Sequence, residues 1–202
     1  MNWFWLHRNP TISARKTCDQ HVVKMVVEAS QLLFTAMAAR GKDDWFVTCP
    51  GTPYKPSHVN HPLGIWVRLC ESNFNALARA AVALVHEYRV RFAKEHACEK
   101  YLIWLLQNGT TLWDKDLENM ALENARVYYA EDTWLATRAC PRGCTPVPIC
   151  CGTYKEELRQ MMAEKVNRKG DNLVRAYRYL YRLKRTKGFR MRFKNIVAQS
   201  VA

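Results

Sequence analysis

A carboxylate, an imidazole and an ammonium group share one narrow face of a segment that is otherwise apolar. Thr17, His21, Lys24, Glu28, Gln31 and Thr35 recur at steps of four, three, four, three and four. At 100° per residue they fall within roughly 80° of arc on an α-helix. Val22, Val23, Met25, Val26, Val27, Ala29, Leu32, Leu33 and Phe34 cover most of the rest. Charged groups on so greasy a helix must pair or face a cleft, because desolvating them alone is costly. Two turns, about 10 Å along the axis, separate His21 from Glu28, so the two can flank a substrate in acid–base work. The plain alternative is a solvated helix edge with Lys24 and Glu28 as an ordinary i,i+4 pair.

Two further groups of residues carry chemistry. Tyr54-Lys55-Pro56-Ser57-His58-Val59-Asn60-His61-Pro62 packs a Tyr, a Lys, two His and an Asn ahead of a helix, a composition suited to phosphate. On the helix after Asp171, Arg175, Arg178, Arg182 and Arg185 cluster on one side, with Leu173, Ala176, Leu180 and Leu183 on another and tyrosines between. Such a face can bind phosphates and stack bases, and the tail beyond it interleaves Arg190, Arg192 and Lys194 with Phe189 and Phe193. No metal centre is expected. His58 and His61 lack a carboxylate or cysteine partner at a recognisable offset, and Cys140, Cys144, Cys150 and Cys151 end in an adjacent pair that suits loop thiols better than a tetrahedral site.

The elements that must position these groups read as a mainly α, compact single-domain helical bundle. Asn2-Trp3-Phe4-Trp5-Leu6 is a short strand-like segment or extended anchor. Thr11 or Ser13 should cap a long helix running to about Ala39. A turn-rich stretch from Lys42 to Pro62 follows, then a helical pattern from Leu63 to about His96, a short apolar segment over 101–106 and a helix over 117–129. An irregular loop over 139–152 precedes two helices, about 154–168 and 171–187. With 202 residues, 49% of them hydrophobic, the chain is one domain with a real core. Residues 159–194 hold 13 Lys and Arg against Glu164 and Asp171, so they carry +11 of the formal +13, which points to a polyanionic partner. No apolar run approaches the roughly 18 residues of a membrane span. The opening Met1 to Arg8 lacks the apolar stretch of a secretory signal, so a cytoplasmic protein with reduced cysteines is expected.

Several segments resemble a family of small tailed-phage proteins that begin with a Met-Asn strand. They are Cys18-Asp19-Gln20-His21-Val22-Val23-Lys24-Met25, the Tyr54 to Pro62 loop with Trp66-Val67-Arg68, Glu87-Tyr88-Arg89-Val90-Arg91-Phe92 and Ala176-Tyr177-Arg178. A more distant resemblance is to the pyrimidine-dimer DNA glycosylases of the phage endonuclease V type. Those proteins are compact and helical and open their first helix on Asp-Gln-His. Here Asp19-Gln20-His21 stands in that place, and Glu28 follows the histidine by seven residues, the spacing of that family's catalytic glutamate. The resemblance implies attack by an N-terminal α-amine on C1′ of a damaged nucleotide, an imine intermediate and strand cleavage by β-elimination. An α-amine titrates near 8 and is nucleophilic at neutral pH without help. It further implies that Glu28 stabilises charge on the sugar and that His21 orients or binds phosphate. The chain departs from the pattern at Val27, where the relatives carry an arginine, and at Asn2, whose size should block removal of Met1.

The resulting expectation is a DNA glycosylase and AP lyase acting on damaged or modified pyrimidines in duplex DNA, without a cofactor. Met1, Glu28 and His21 would be catalytic. Lys24, Tyr54, Lys55, His58, Asn60, His61, Arg68, Arg175, Arg178, Arg182 and Arg185 would bind DNA. Two alternatives stand beside it: a phage nucleic-acid-binding protein without catalysis, and a base- or nucleotide-modifying transferase.

Overall fold

A computed structural model describes residues 2–41, 43–109, 113, 135–136, 144–145, 147–148, 150, 154, 157–158, 160 and 172–193. Among these the chain is mainly helical. The elements are α1 (Pro10–Lys16), α2 (Asp19–Ala38), a 3-10 turn (Asp43–Thr48), α3 (Pro62–Leu69), α4 (Glu71–Phe92), α5 (Glu99–Asn108), β1 (Leu135–Ala136), β2 (Val147–Pro148) and α6 (Asn172–Thr186). The two short strands pair antiparallel, Leu135 with Pro148 and Ala136 with Val147. The expected helix over 117–129, most of the 154–168 helix, Cys140, Cys151 and Lys194 lie outside the described residues.

The long first helix expected from Thr11 to Ala39 is two helices. Asn9 is the N-cap of α1, its side chain accepting from Ile12 N at 3.1 Å, and Pro10 fills the first turn where its missing N–H costs nothing. The chain then goes extended through Thr17 and Cys18 before α2 begins. A buried guanidinium makes the break affordable: Arg91 donates to the carbonyls of Arg15 and Thr17 at 3.0 and 2.6 Å and adds a longer bond, 3.3 Å, to Ala14 O, which also accepts from Thr17 N. The same group pairs with Asp19 at 2.9 Å and Glu87 at 2.7 Å. A second arginine repeats the device. The pattern expected as one helix from Leu63 to His96 breaks at Cys70, and Arg40 donates to the carbonyls of Arg68 and Leu69 at the end of α3. Asn73 takes the Trp66 carbonyl at 2.7 Å, closing the same break from the α4 side.

Helix α2 is the centre of the core. Its apolar residues Val22, Val26, Ala29, Leu32, Leu33 and Phe34 are fully buried, and it packs against α3, α4 and α5. Each of the Val, Leu and Phe side chains contributes about 1.5–3 kcal/mol on burial. The opening segment is an extended anchor, without a strand partner among the described residues. Trp3, Phe4, Trp5 and Leu6 are all buried, and Leu6 N donates to Ser13 Oγ at 3.0 Å while Leu6 O accepts from Arg178 Nε at 2.8 Å. This segment therefore ties α1 and α6 together along the polar stripe of α2.

Candidate functional site

The polar residues Thr17, His21, Glu28 and Thr35 of the stripe meet different parts of the chain. Thr17 lies in the break before the helix, where its hydroxyl donates to Ser13 O at 3.0 Å. His21 lies under the aromatic rings that bring α6 home. Its Nδ1 is 2.7 Å from the Tyr181 hydroxyl, and its ring stacks on Phe4 at 4.5 Å and on Phe189 at 5.9 Å. Burial, helped by the charges of Lys184 and Lys24, lowers its pKa to about 4, so it is a neutral imidazole at physiological pH. His21, expected to orient or bind phosphate, is 6% exposed and enclosed by its own chain. Its neighbours hold the tail in the same way. Asp19 N donates to Arg192 O at 2.8 Å, and the Gln20 side chain donates to Arg190 O at 2.7 Å.

Glu28 is the junction of the other half of the stripe. It is 9% exposed, Oε2 accepts from the backbone N–H of Asn2 at 2.8 Å, and Oε1 lies 3.1 Å from Lys24 Nζ. The Lys24 side chain is 69% exposed, so the ammonium reaches from solvent to a carboxylate that faces inward. Thr35, at the far end, clamps the loop: its hydroxyl donates to Ser57 O at 3.3 Å and accepts from Ser57 N at 3.1 Å.

That clamp sets the 54–62 loop beside Glu28. His58 takes a left-handed conformation, φ +53°, and the turn it makes lets His61 N donate to His58 O at 2.9 Å. His61 then caps α3, Nδ1 accepting from Leu63 N at 3.2 Å, which leaves Nε2 to carry the proton of the neutral ring. Its pKa is lowered to about 4 by burial, with the positive charges of the chain's amino terminus and of His58 adding and Glu28 opposing. Glu28 and His61 therefore feel one another. Lys55, His58 and Asn60 are exposed on the same loop.

The remaining sequence-predicted residues divide. Tyr54 belongs to an aromatic cluster with Phe34 and Tyr101, its hydroxyl 3.3 Å from Cys98 Sγ, and burial followed by that thiol pushes its pKa up to about 12. Tyr54 is half buried in this cluster. Arg68 donates to Val59 O and so braces the loop. On α6, Arg175, Arg178, Arg182 and Arg185 are all exposed. Arg178 is anchored through Nε to Leu6, while Arg175, Arg182 and Arg185 have no acidic partner among the described residues. Met1 lies outside the described residues. Among the described residues no group of three or more His, Cys, Asp or Glu is arranged to hold a metal ion. Cys144 and Cys150 contact the carbonyls of Ser72 and Pro148.

Sequence reasoning missed Arg91 and Arg40 as the groups that hold the helix ends. The signal was present for Arg91, an arginine four residues after Glu87 on an otherwise apolar helix face, but its long reach to Asp19 is a tertiary fact. Comparison with protein-family models, with curated proteins and with solved structures finds no match to this chain. No helix among the described residues is long and apolar enough to cross a membrane.

Proposed function

We propose that this protein is a DNA-binding glycosylase and AP lyase whose nucleophile is the α-amine of Met1 and whose essential carboxylate is Glu28. The observation that carries the reading is the 2.8 Å bond from Asn2 N–H to Glu28 Oε2. The α-nitrogen of the preceding residue is three bonds from that N–H and, whatever its torsions, within about 4 Å of it. An amine in that position is within reach of a buried carboxylate already held by Lys24.

The chemistry follows from the groups. The amine nitrogen forms a bond to C1′ as the N-glycosidic bond breaks and the base leaves with its electron pair. Loss of a proton and opening of the sugar ring give an iminium at C1′, and removal of a C2′ proton expels the 3′ phosphate. Glu28 accepts the amine proton and stabilises positive charge on the sugar. Neutral His61 offers an Nε2–H donor to the departing base or sugar oxygen. Phosphate contact falls to Lys24, Lys55 and His58 near the site and to Arg175, Arg182 and Arg185 on α6. His21 and Asp19 act structurally in this reading, and Val27, half buried beside Glu28, leaves the loop to supply the cation that an arginine would have given.

The experiment is strand nicking of a duplex with one abasic site, which isolates the lyase half from lesion choice. The wild type nicks, and Glu28→Gln loses at least about 100-fold while retaining duplex affinity. Nicking that survives Glu28→Gln removes the carboxylate from the mechanism. Tight duplex binding without any nicking makes the protein a non-catalytic binder in which Lys24, Glu28 and Asn2 form a structural network.

A further inference from the structure

We propose that the open cleft where the tail crosses the start of α2 is a subsite for an unpaired nucleotide of a single DNA strand. Asp19, Gln20, Val23, Phe92, Arg192 and Phe193 line it. It is a different place from the Glu28 site. Asp19 and Glu28 are nine residues apart on α2, which puts them about 13 Å apart along the axis and on opposite faces.

The tail over Gly188 to Phe193 is fixed before any ligand arrives. Arg192 O accepts from Asp19 N at 2.8 Å, Arg190 O accepts from Gln20 Nε2 at 2.7 Å, Arg192 N donates to Gln20 Oε1 at 3.4 Å, and Phe189 stacks on His21. Little ordering entropy is left for binding to spend. With the backbone pinned, two apolar groups stay open to solvent at the cleft, Val23 at 42% and Phe193 at 43% exposure. Phe92, half buried, forms the third apolar wall.

The polar groups decide the ligand. Asp19 is paired with Arg91, which it shares with Glu87, and Gln20 is occupied by the tail backbone, so the one carboxylate charge left over at this end of the cleft is outnumbered by the tail's guanidinium groups. The guanidinium of Arg192, and those of Arg190 and Arg185 nearby in sequence, have no hydrogen-bond or ion-pair partner among the described residues. A flat apolar surface beside unpaired guanidinium groups is complementary to a planar ring joined to a phosphate. Duplex DNA hides its ring faces in the stack, so an unpaired nucleotide is the form that fits. The inference rests on the nucleic-acid half of the proposed function and is independent of the chemistry at Glu28.

The test is fluorescence anisotropy of the full chain with a labelled oligothymidine of about twelve nucleotides and with a fully paired duplex. The variants are Phe193→Ala and, for charge, Arg192→Ala. Phe193→Ala should weaken oligothymidine binding about 5- to 150-fold, the worth of one base stacked on one ring. Its duplex affinity and its thermal midpoint should be unchanged, because the ring is exposed. Arg192→Ala should weaken oligothymidine binding and lower its salt slope by about 0.7, the contribution of one single-strand phosphate contact. Oligothymidine binding that ignores Phe193→Ala, or that falls in step with duplex binding, overturns the subsite. Wild type that binds duplex but not oligothymidine overturns the subsite and leaves the proposed function standing. Wild type that binds neither overturns both.

Discussion

Replacing Arg91 by methionine should be among the most damaging substitutions in this chain. The guanidinium is 2% exposed and holds two carboxylates, Glu87 at 2.7 Å and Asp19 at 2.9 Å, whose side chains are 6% and 14% exposed. It also takes the carbonyls of Ala14, Arg15 and Thr17. Methionine fills much of the volume but leaves both anions and three carbonyls without that donor. Removing one partner of a buried ion pair costs about 3–5 kcal/mol. In a chain of this size 1 kcal/mol moves the thermal midpoint by about 2–4 °C, so the expected fall is about 6–20 °C. Thermal unfolding followed by circular dichroism reads it directly. Glu87→Gln with Asp19→Asn in the Arg91→Met background should recover part of the loss, since it removes the stranded charges. Arg89→Met is the contrast. Its side chain is 48% exposed and it bridges Glu95, 82% exposed, and Glu99, so it should cost less than about 1 kcal/mol. A fall below about 2 °C for Arg91→Met, or equal falls for the two arginines, would mean that the buried guanidinium does not hold these helix ends.

Acid should weaken the docking of α6 over a defined window. The folded pKa of His21, about 4, lies below its ordinary 6.5, so protonation favours the unfolded chain. Its contribution, about 3 kcal/mol, is complete above pH 6.5, is lost as pH falls towards 4 and does not fall further below that. His21→Phe should flatten this part of the stability profile, measured by denaturant unfolding across pH 4–7, and an unchanged profile would count against it. On α6, Arg182→Ala and Arg185→Ala should each lower the salt slope of duplex binding by about 0.9, and slopes that do not move would take that face out of the interface. Asn9→Ala should cost about 1 kcal/mol through loss of the α1 cap, read by the same denaturant unfolding.

The helical class, the buried character of α2 and the basic face of α6 were legible because each is a matter of local periodicity. The apolar residues of α2 recur at helical spacing, and the arginines of α6 do so as well. The breaks at Thr17 and Cys70 were not legible, because neither carries a proline or glycine. They exist because Arg91 and Arg40, distant in sequence, satisfy the helix ends they expose. The polar stripe was correctly singled out as an oddity, yet its residues divide between two tasks. His21, with Asp19 and Gln20 before it, docks α6 and the tail, whereas Glu28 meets the opening segment and, with Thr35, faces the 54–62 loop. Spacing places residues on one face of a helix but does not say which segment of chain will cover that face.

The proposed function requires a covalent bond at the α-amine of Met1. Borohydride reduction during reaction with an abasic duplex, followed by tryptic digestion and mass mapping, tests it most directly. A single adduct on the peptide from Met1 to Arg8, absent in Glu28→Gln, is expected. An adduct on Lys24 or Lys55, or none from a preparation that nicks the duplex, would contradict it.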